Sequence, residues 1–167
     1  MTKESLLKEL RKQSVNPKHK TTKRAIIKVV ADMVEHHIKD NAEISGISPN
    51  RSGEGYNLGD IVEVVLHSLA RNKIAKSDSN KHYDIQVKGE KAECKWATSD
   101  AGAKAIYKNA VVDYYLIATY TAKLGGIVFK VPYAQRDEIN TYPSGRITPN
   151  QKAKFIDKEW TKRVFAF

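Results

Sequence analysis

Alternation of polar and apolar residues on both sides of a Lys88-Gly89 pair constrains the fold more than any other feature of the chain. The stretches Tyr83-Asp84-Ile85-Gln86-Val87 and Glu90-Lys91-Ala92-Glu93-Cys94-Lys95-Trp96 show the period of two that belongs to strands, and a two-residue turn between them makes a hairpin. Its register pairs Val87 with Glu90 and Ile85 with Ala92, and sets Asp84 opposite Glu93. Tyr83, Ile85, Val87, Ala92, Cys94 and Trp96 then face a core, while Asp84, Gln86, Lys91, Glu93 and Lys95 share the other side. Opposed carboxylates repel unless something positive lies between them, and a divalent cation with Lys95 alongside meets that need. Any half-buried hairpin also carries charges on its solvent side, where an opposed like-charge pair costs little. On the hairpin alone both readings stand.

Helical signals precede the hairpin. A short helix is expected over about Lys3 to Lys12, ended by Asn16-Pro17. A longer one over about Thr22 to Lys39, capped by Thr21 or Thr22, carries Ile26, Ile27, Val30, Met33, Val34, His37 and Ile38 along a broad apolar stripe. Asn41 to Tyr56 is rich in Gly, Ser and Asn, includes Pro49 and Arg51, and reads as a long loop with scope to move. Leu58 to Arg71 returns to helical periodicity, with Leu58, Ile61, Val62, Val65, Leu66 and Leu69 on one side. Glu63 lies toward its polar flank, a position that suits a metal ligand and an ordinary surface Glu equally. Asp60 stands one turn earlier on the neighbouring face.

Beyond the hairpin, Ser99 or Asp100 is expected to cap a helix reaching about Ala110, with Lys104 and Lys108 on one face. Val111 to Thr121 reads as an apolar strand, Gly125-Gly126 as a turn and Ile127 to Val131 as a returning strand. Thr148 to Phe167 reads as a basic amphipathic helix whose Phe155, Ile156, Trp160 and Val164 serve a core or a dimer contact rather than base stacking.

The hairpin and the helix before it resemble the core of the PD-(D/E)XK nuclease superfamily, which includes many restriction endonucleases and small Holliday-junction resolvases. Asp84 matches the first acid and Glu93-Cys94-Lys95 the E-X-K. Gly59-Asp60-Ile61-Val62-Glu63 resembles the G-X-X-X-E that opens the helix in resolvase-like members. The match spans about residues 57 to 133 and departs from the pattern at Tyr83, where the family name has Pro. The resemblance implies an α/β fold with a central mixed β-sheet flanked by helices. It implies Asp84, Glu93 and Lys95 as catalytic residues and a Mg2+ site, in which Mn2+ can substitute, held by Glu63, Asp84, Glu93 and the backbone carbonyl of Cys94. Gln86, on the same face as Asp84, is a candidate to support those ligands from behind.

Bulk properties agree with such a role. At 167 residues the chain is one domain long, read as a nuclease domain with a basic N-terminal helical extension (1–45), a catalytic core (57–133) and a C-terminal helix (148–167). Although 29% of residues are charged, the net charge is +10, a balance suited to a polyanion such as DNA. Arg11, Lys12, Lys18, Lys20, Lys23, Arg24 and Lys28 fall in a stretch without an acid. They are candidate DNA contacts together with Arg51, although a solvated helix face and linker would look the same.

Other chemistries find little footing. One cysteine, Cys94, allows neither an internal disulfide nor a multi-cysteine zinc site. Its place on the apolar side of the hairpin makes it a packing residue, not a nucleophile. Of the five histidines, His36 and His37 fall mid-helix, His19 in the basic linker, and His67 and His82 flank the acids. None forms a His-X-X-X-His pair, so zinc has little support. No G-X-X-X-X-G-K-[S/T] occurs, so no nucleotide cofactor is expected. With no apolar leader and no run near the roughly 20 residues a membrane span needs, the chain is expected to be cytoplasmic and to contact no membrane. The expected activity is magnesium-dependent DNA cleavage by a homodimer, structure-directed as in junction resolvases. The rivals are a small sequence-specific restriction endonuclease and a non-catalytic DNA-binding or inhibitory protein on the same fold.

Overall fold

The computed structural model describes residues 1–70, 83–97, 103–104, 112–121, 125–138, 140–141, 146–148 and 153–167. Helices α1 (Lys3–Ser14), α2 (Thr21–His37) and α3 (Leu58–Ala70) precede strands β1 (Ile85–Val87), β2 (Glu90–Ala97), β3 (Ala103–Lys104), β4 (Tyr114–Thr121) and β5 (Gly125–Pro132). A 3-10 segment, Tyr133–Glu138, leads to β6 (Asn140–Thr141) and β7 (Arg146–Thr148), and a second, Ala153–Phe155, leads to α4 (Lys158–Phe165). The fold is mixed α/β. Its main sheet has the order β1-β2-β4-β5, with β2 and β4 parallel and the outer pairs antiparallel, while β3-β7-β6 form a smaller sheet.

The two faces of the main sheet are covered differently. Ile85, Ala92, Cys94, Tyr114, Leu116, Ala118 and Val128 belong to a large core with Leu6 and Leu10 of α1, Val30 and Val34 of α2 and Ile61, Val62, Val65 and Leu66 of α3. Tyr115, Ile117, Phe129 and Val131 build a second, smaller cluster on the opposite face with Phe155. Every residue from Tyr114 to Thr119 is therefore buried, as an inner strand packed on both faces should be.

The hairpin forms with the expected turn. Lys88 and Gly89 both adopt positive φ, 51° and 84°, the signature of a type I′ connection. The ladder pairs Val87 with Glu90, Gln86 with Lys91 and Ile85 with Ala92 and stops there. Asp84 consequently does not pair with Glu93 as expected: its N–H donates to the Ala92 carbonyl at 2.9 Å. Tyr83, assigned to the apolar side by alternation, instead lies under the Lys91 ammonium, 5.1 Å from the ring centroid. Period two holds only where pairing enforces it.

Several expectations need revision. Helix α2 begins with Lys20 at its N-cap and has no side-chain cap bond, so neither Thr21 nor Thr22 plays that part. Of the helix expected from Ser99 or Asp100 to Ala110, Ala103 and Lys104 pair with Ile147 and Arg146 as strand. That tertiary pairing overrides a weak local helix preference. The rest of that segment lies outside the described residues. The C-terminal helix is far shorter than 148–167, because the Asp157 Oδ1 accepts from the Trp160 N–H at 2.9 Å and starts α4 at Lys158. Arg146–Thr148 is strand β7. Trp160 and Val164 do pack in the core.

The loop from Asn41 to Tyr56 is tied down at several points. Met1 and Ile44 exchange hydrogen bonds through the terminal ammonium and backbone, Pro49 bridges to Tyr56, and Asn50 closes the tip by accepting from the Ser52 N–H and hydroxyl and donating to the Glu54 carbonyl. Asp60, in the first turn of α3, accepts from both the Ser48 N–H at 2.8 Å and the Ser48 hydroxyl at 2.6 Å. No helix among the described residues is long and apolar enough to cross a membrane.

Candidate metal centre

Helix α3 packs against β1 and β2, and this packing builds the site. Ile61, Val62, Val65 and Leu66 are fully buried, which fixes the rotation of the helix and turns the i, i+4 pair Glu63 and His67 toward the end of β1. Glu63 Oε1 and His67 Nε2 lie 3.9 Å apart, with side chains 20% and 16% exposed. Donor atoms of Glu63, His67 and Asp84 all fall within 4.8 Å of one another.

Asp84 is the middle of the constellation. Its Oδ2 accepts from the Cys94 N–H at 2.7 Å, a bond that anchors one carboxylate oxygen on β2. N–H and C=O of a strand residue point to the same edge, so the Cys94 carbonyl is turned toward the edge where Asp84 stands. On the far side, Lys95 Nζ donates to Glu93 Oε1 at 2.5 Å. Parallel pairing aligns Glu93 with Tyr115 and Lys95 with Ile117, so both charges share a face with the second apolar cluster. Glu93 is only 8% exposed, far from the solvated position alternation alone suggests.

The electrostatics follow from that burial. Desolvation pushes the Glu93 carboxyl above its usual range; Lys95 opposes the shift and the Asp84 carboxylate adds to it. Desolvation works against the Lys95 ammonium, but Glu93, Asp84 and Glu63 together outweigh it and hold the group above its usual value. The Cys94 thiol is driven well above the ordinary range, first by burial and then by Asp84, Glu63 and Glu93. It is a protonated packing group, as the sequence suggests.

Of the sequence candidates, the structure brings Glu63, Asp84, Glu93, Cys94 and Lys95 together. Gln86 donates to the Gly89 carbonyl at 3.2 Å and so braces the hairpin turn. His67 is the member that sequence reasoning misses. Its sequence position only flanks the acids, yet the Glu63-X-X-X-His67 spacing already places both on one helix face. His82 lies outside the described residues. Hard carboxylate oxygens with one carbonyl and one imidazole make a donor set that fits a divalent cation.

The basic stretch resolves into two groups. Arg11 pairs with Glu35 at 2.8 Å and Lys12 with Glu9 at 3.9 Å, while Arg24 donates to the Thr21 hydroxyl at 3.3 Å. Lys18, Lys20, Lys23 and Lys28 are exposed, and none has an acidic partner among the described residues. The turn that displays the first two is ordered: Asn16 Oδ1 accepts from the Lys18 N–H at 3.0 Å, and the buried His19 ring bonds Gln13 Oε1 at 2.6 Å. Arg51 is exposed in the loop. No protein-family model matches the chain, and no curated protein matches its sequence.

Proposed function

We propose that the chain is a metal-dependent deoxyribonuclease built on a restriction-endonuclease-like core, structure-directed in the manner of junction resolvases. The convergence of Glu63, Asp84, Glu93 and Lys95 from a helix, a strand end and the hairpin partner carries this reading. It follows the order that the PD-(D/E)XK resemblance implies. Glu63, Asp84 and Glu93, with the Cys94 carbonyl, would hold Mg2+ or Mn2+. When bound, the ion acidifies a water and neutralises charge on the scissile phosphate.

The protein groups have separable parts. The Cys94 N–H restrains one Asp84 oxygen and leaves the other available for the ion. Lys95, kept protonated by three carboxylates, orients the attacking water and stabilises negative charge developing on phosphorus. Exposed Lys18, Lys20, Lys23 and Lys28 attract the DNA backbone without reading its sequence. Products are a 5′-phosphate and a 3′-hydroxyl, and symmetric cutting of two strands calls for a homodimer.

Incubating plasmid, single-stranded and four-way-junction DNA with Mg2+ or with EDTA tests the reading. Metal-dependent cutting that prefers the junction is expected. Binding without cutting under every metal condition would leave only a non-catalytic DNA-binding role.

A further inference from the structure

We propose that His67 is itself a ligand of the metal, so that the centre is a mixed nitrogen and oxygen site that selects Mn2+ over Mg2+. The geometry points to this. His67 Nε2, Glu63 Oε1 and an Asp84 carboxylate oxygen lie mutually within 4.8 Å, and the first two are 3.9 Å apart. Adjacent ligands on an octahedral ion with bonds of about 2.1 Å are about 3 Å apart. Closing the group around an ion therefore takes shifts of about 1–2 Å, within reach of side-chain rotation on a fixed helix.

The donor set decides which ion benefits. Mg2+ prefers oxygen and keeps its waters, so an imidazole adds little to its binding. First-row transition ions gain from imidazole nitrogen, and Mn2+ still accepts the carboxylate oxygens that make up the rest of the site. Glu93 does not belong to this trio and is held by Lys95. The Glu63, His67 and Asp84 side of the centre thus binds the ion more directly, and the Glu93 and Lys95 side faces the reaction.

The inference rests on the proposed nuclease centre only for the presence of an ion, and its test reads binding, not cleavage. Equilibrium dialysis of the full chain against Mn2+ and Mg2+ should show Mn2+ bound at least about tenfold more tightly. Electron spin echo spectra of the Mn2+-loaded protein should show coupling to a ligand 14N nucleus, and His67→Ala should abolish it and bring the two affinities together. His67→Gln, which keeps the side chain's bulk, guards against a loss that comes from misfolding. Mn2+ bound without nitrogen coupling, or with a preference unchanged in both variants, would overturn the role of His67 and leave the nuclease reading intact. No binding of either ion would sink both.

Discussion

At the scale of single residues, Asp84 and Glu93 each have a structural partner, so substitutions separate into chemical and structural effects. Asp84→Asn keeps an acceptor for the Cys94 N–H but loses the charge; cleavage should fall by at least about 100-fold with stability nearly unchanged. Asp84→Ala should lose cleavage equally and also cost about 1–3 kcal/mol of stability in urea unfolding, because the buried Cys94 N–H is left without a partner. Equal stability of the two variants would show that the Asp84 to Cys94 bond matters little.

Lys95→Ala strands a buried Glu93 carboxylate, and removing one member of a buried pair typically costs about 3 kcal/mol. The sign of its pH dependence is fixed. Without Lys95 the Glu93 pKa rises further above the ordinary 4.5, so the folded state holds a proton that the unfolded state has released. The penalty should therefore be full at neutral pH and fade as the pH falls toward the ordinary carboxyl value. Denaturant midpoints of wild type and variant across that range check it. Glu93 and Lys95 were legible in the sequence because alternation along β2 places both on one face, whereas Asp84 lies beyond the end of the ladder and is held beside them by its bond to the Cys94 N–H. The place of His67 beside Glu63 and Asp84 was not legible, since it depends on where α3 docks on β1 and β2.

Among the elements, the hairpin was the most legible because its turn chemistry and its alternation agree. Lys88 at φ 51° strains a side chain that Asn tolerates better, so Lys88→Asn should raise stability by about 0.5–1 kcal/mol and leave the register unchanged. Gly126 is not the turn residue expected of it: it belongs to β5, and a Cβ there would lie 2.3 Å from the Phe165 ring. Gly126→Ala should push α4 off the sheet at a cost of about 1–3 kcal/mol, visible as faster amide exchange in 160–166. The late start of α4 follows a local cap, Asp157, that apolar periodicity passes over, whereas such a close approach, like the β3-β7 pairing, comes from partners distant in sequence. Local periodicity carries no trace of them.

For the molecule as a whole, the net charge of +10 does not reveal which of the described cations are matched by an acid, but the ion pairs do. Replacing Lys18, Lys20, Lys23 and Lys28 with Gln should weaken binding to every duplex and reduce the slope of log affinity against log salt by about 0.9 for each phosphate no longer neutralised. Neutralising Arg11 and Lys12, already matched to Glu35 and Glu9, should change the slope much less. Equal effects from the two sets, measured by fluorescence anisotropy over a salt series, would remove the distinction. Helix α3 joins the loop to the candidate metal centre: Asp60 in its first turn grips Ser48, and one turn on the helix presents Glu63. In evolutionary terms that makes Ser48 and Asp60 a pair to be inherited together. A lineage could exchange the loop tip around Arg51 freely, but losing either end of the tie would remove the bond that joins the loop to the first turn of the helix carrying Glu63 and His67.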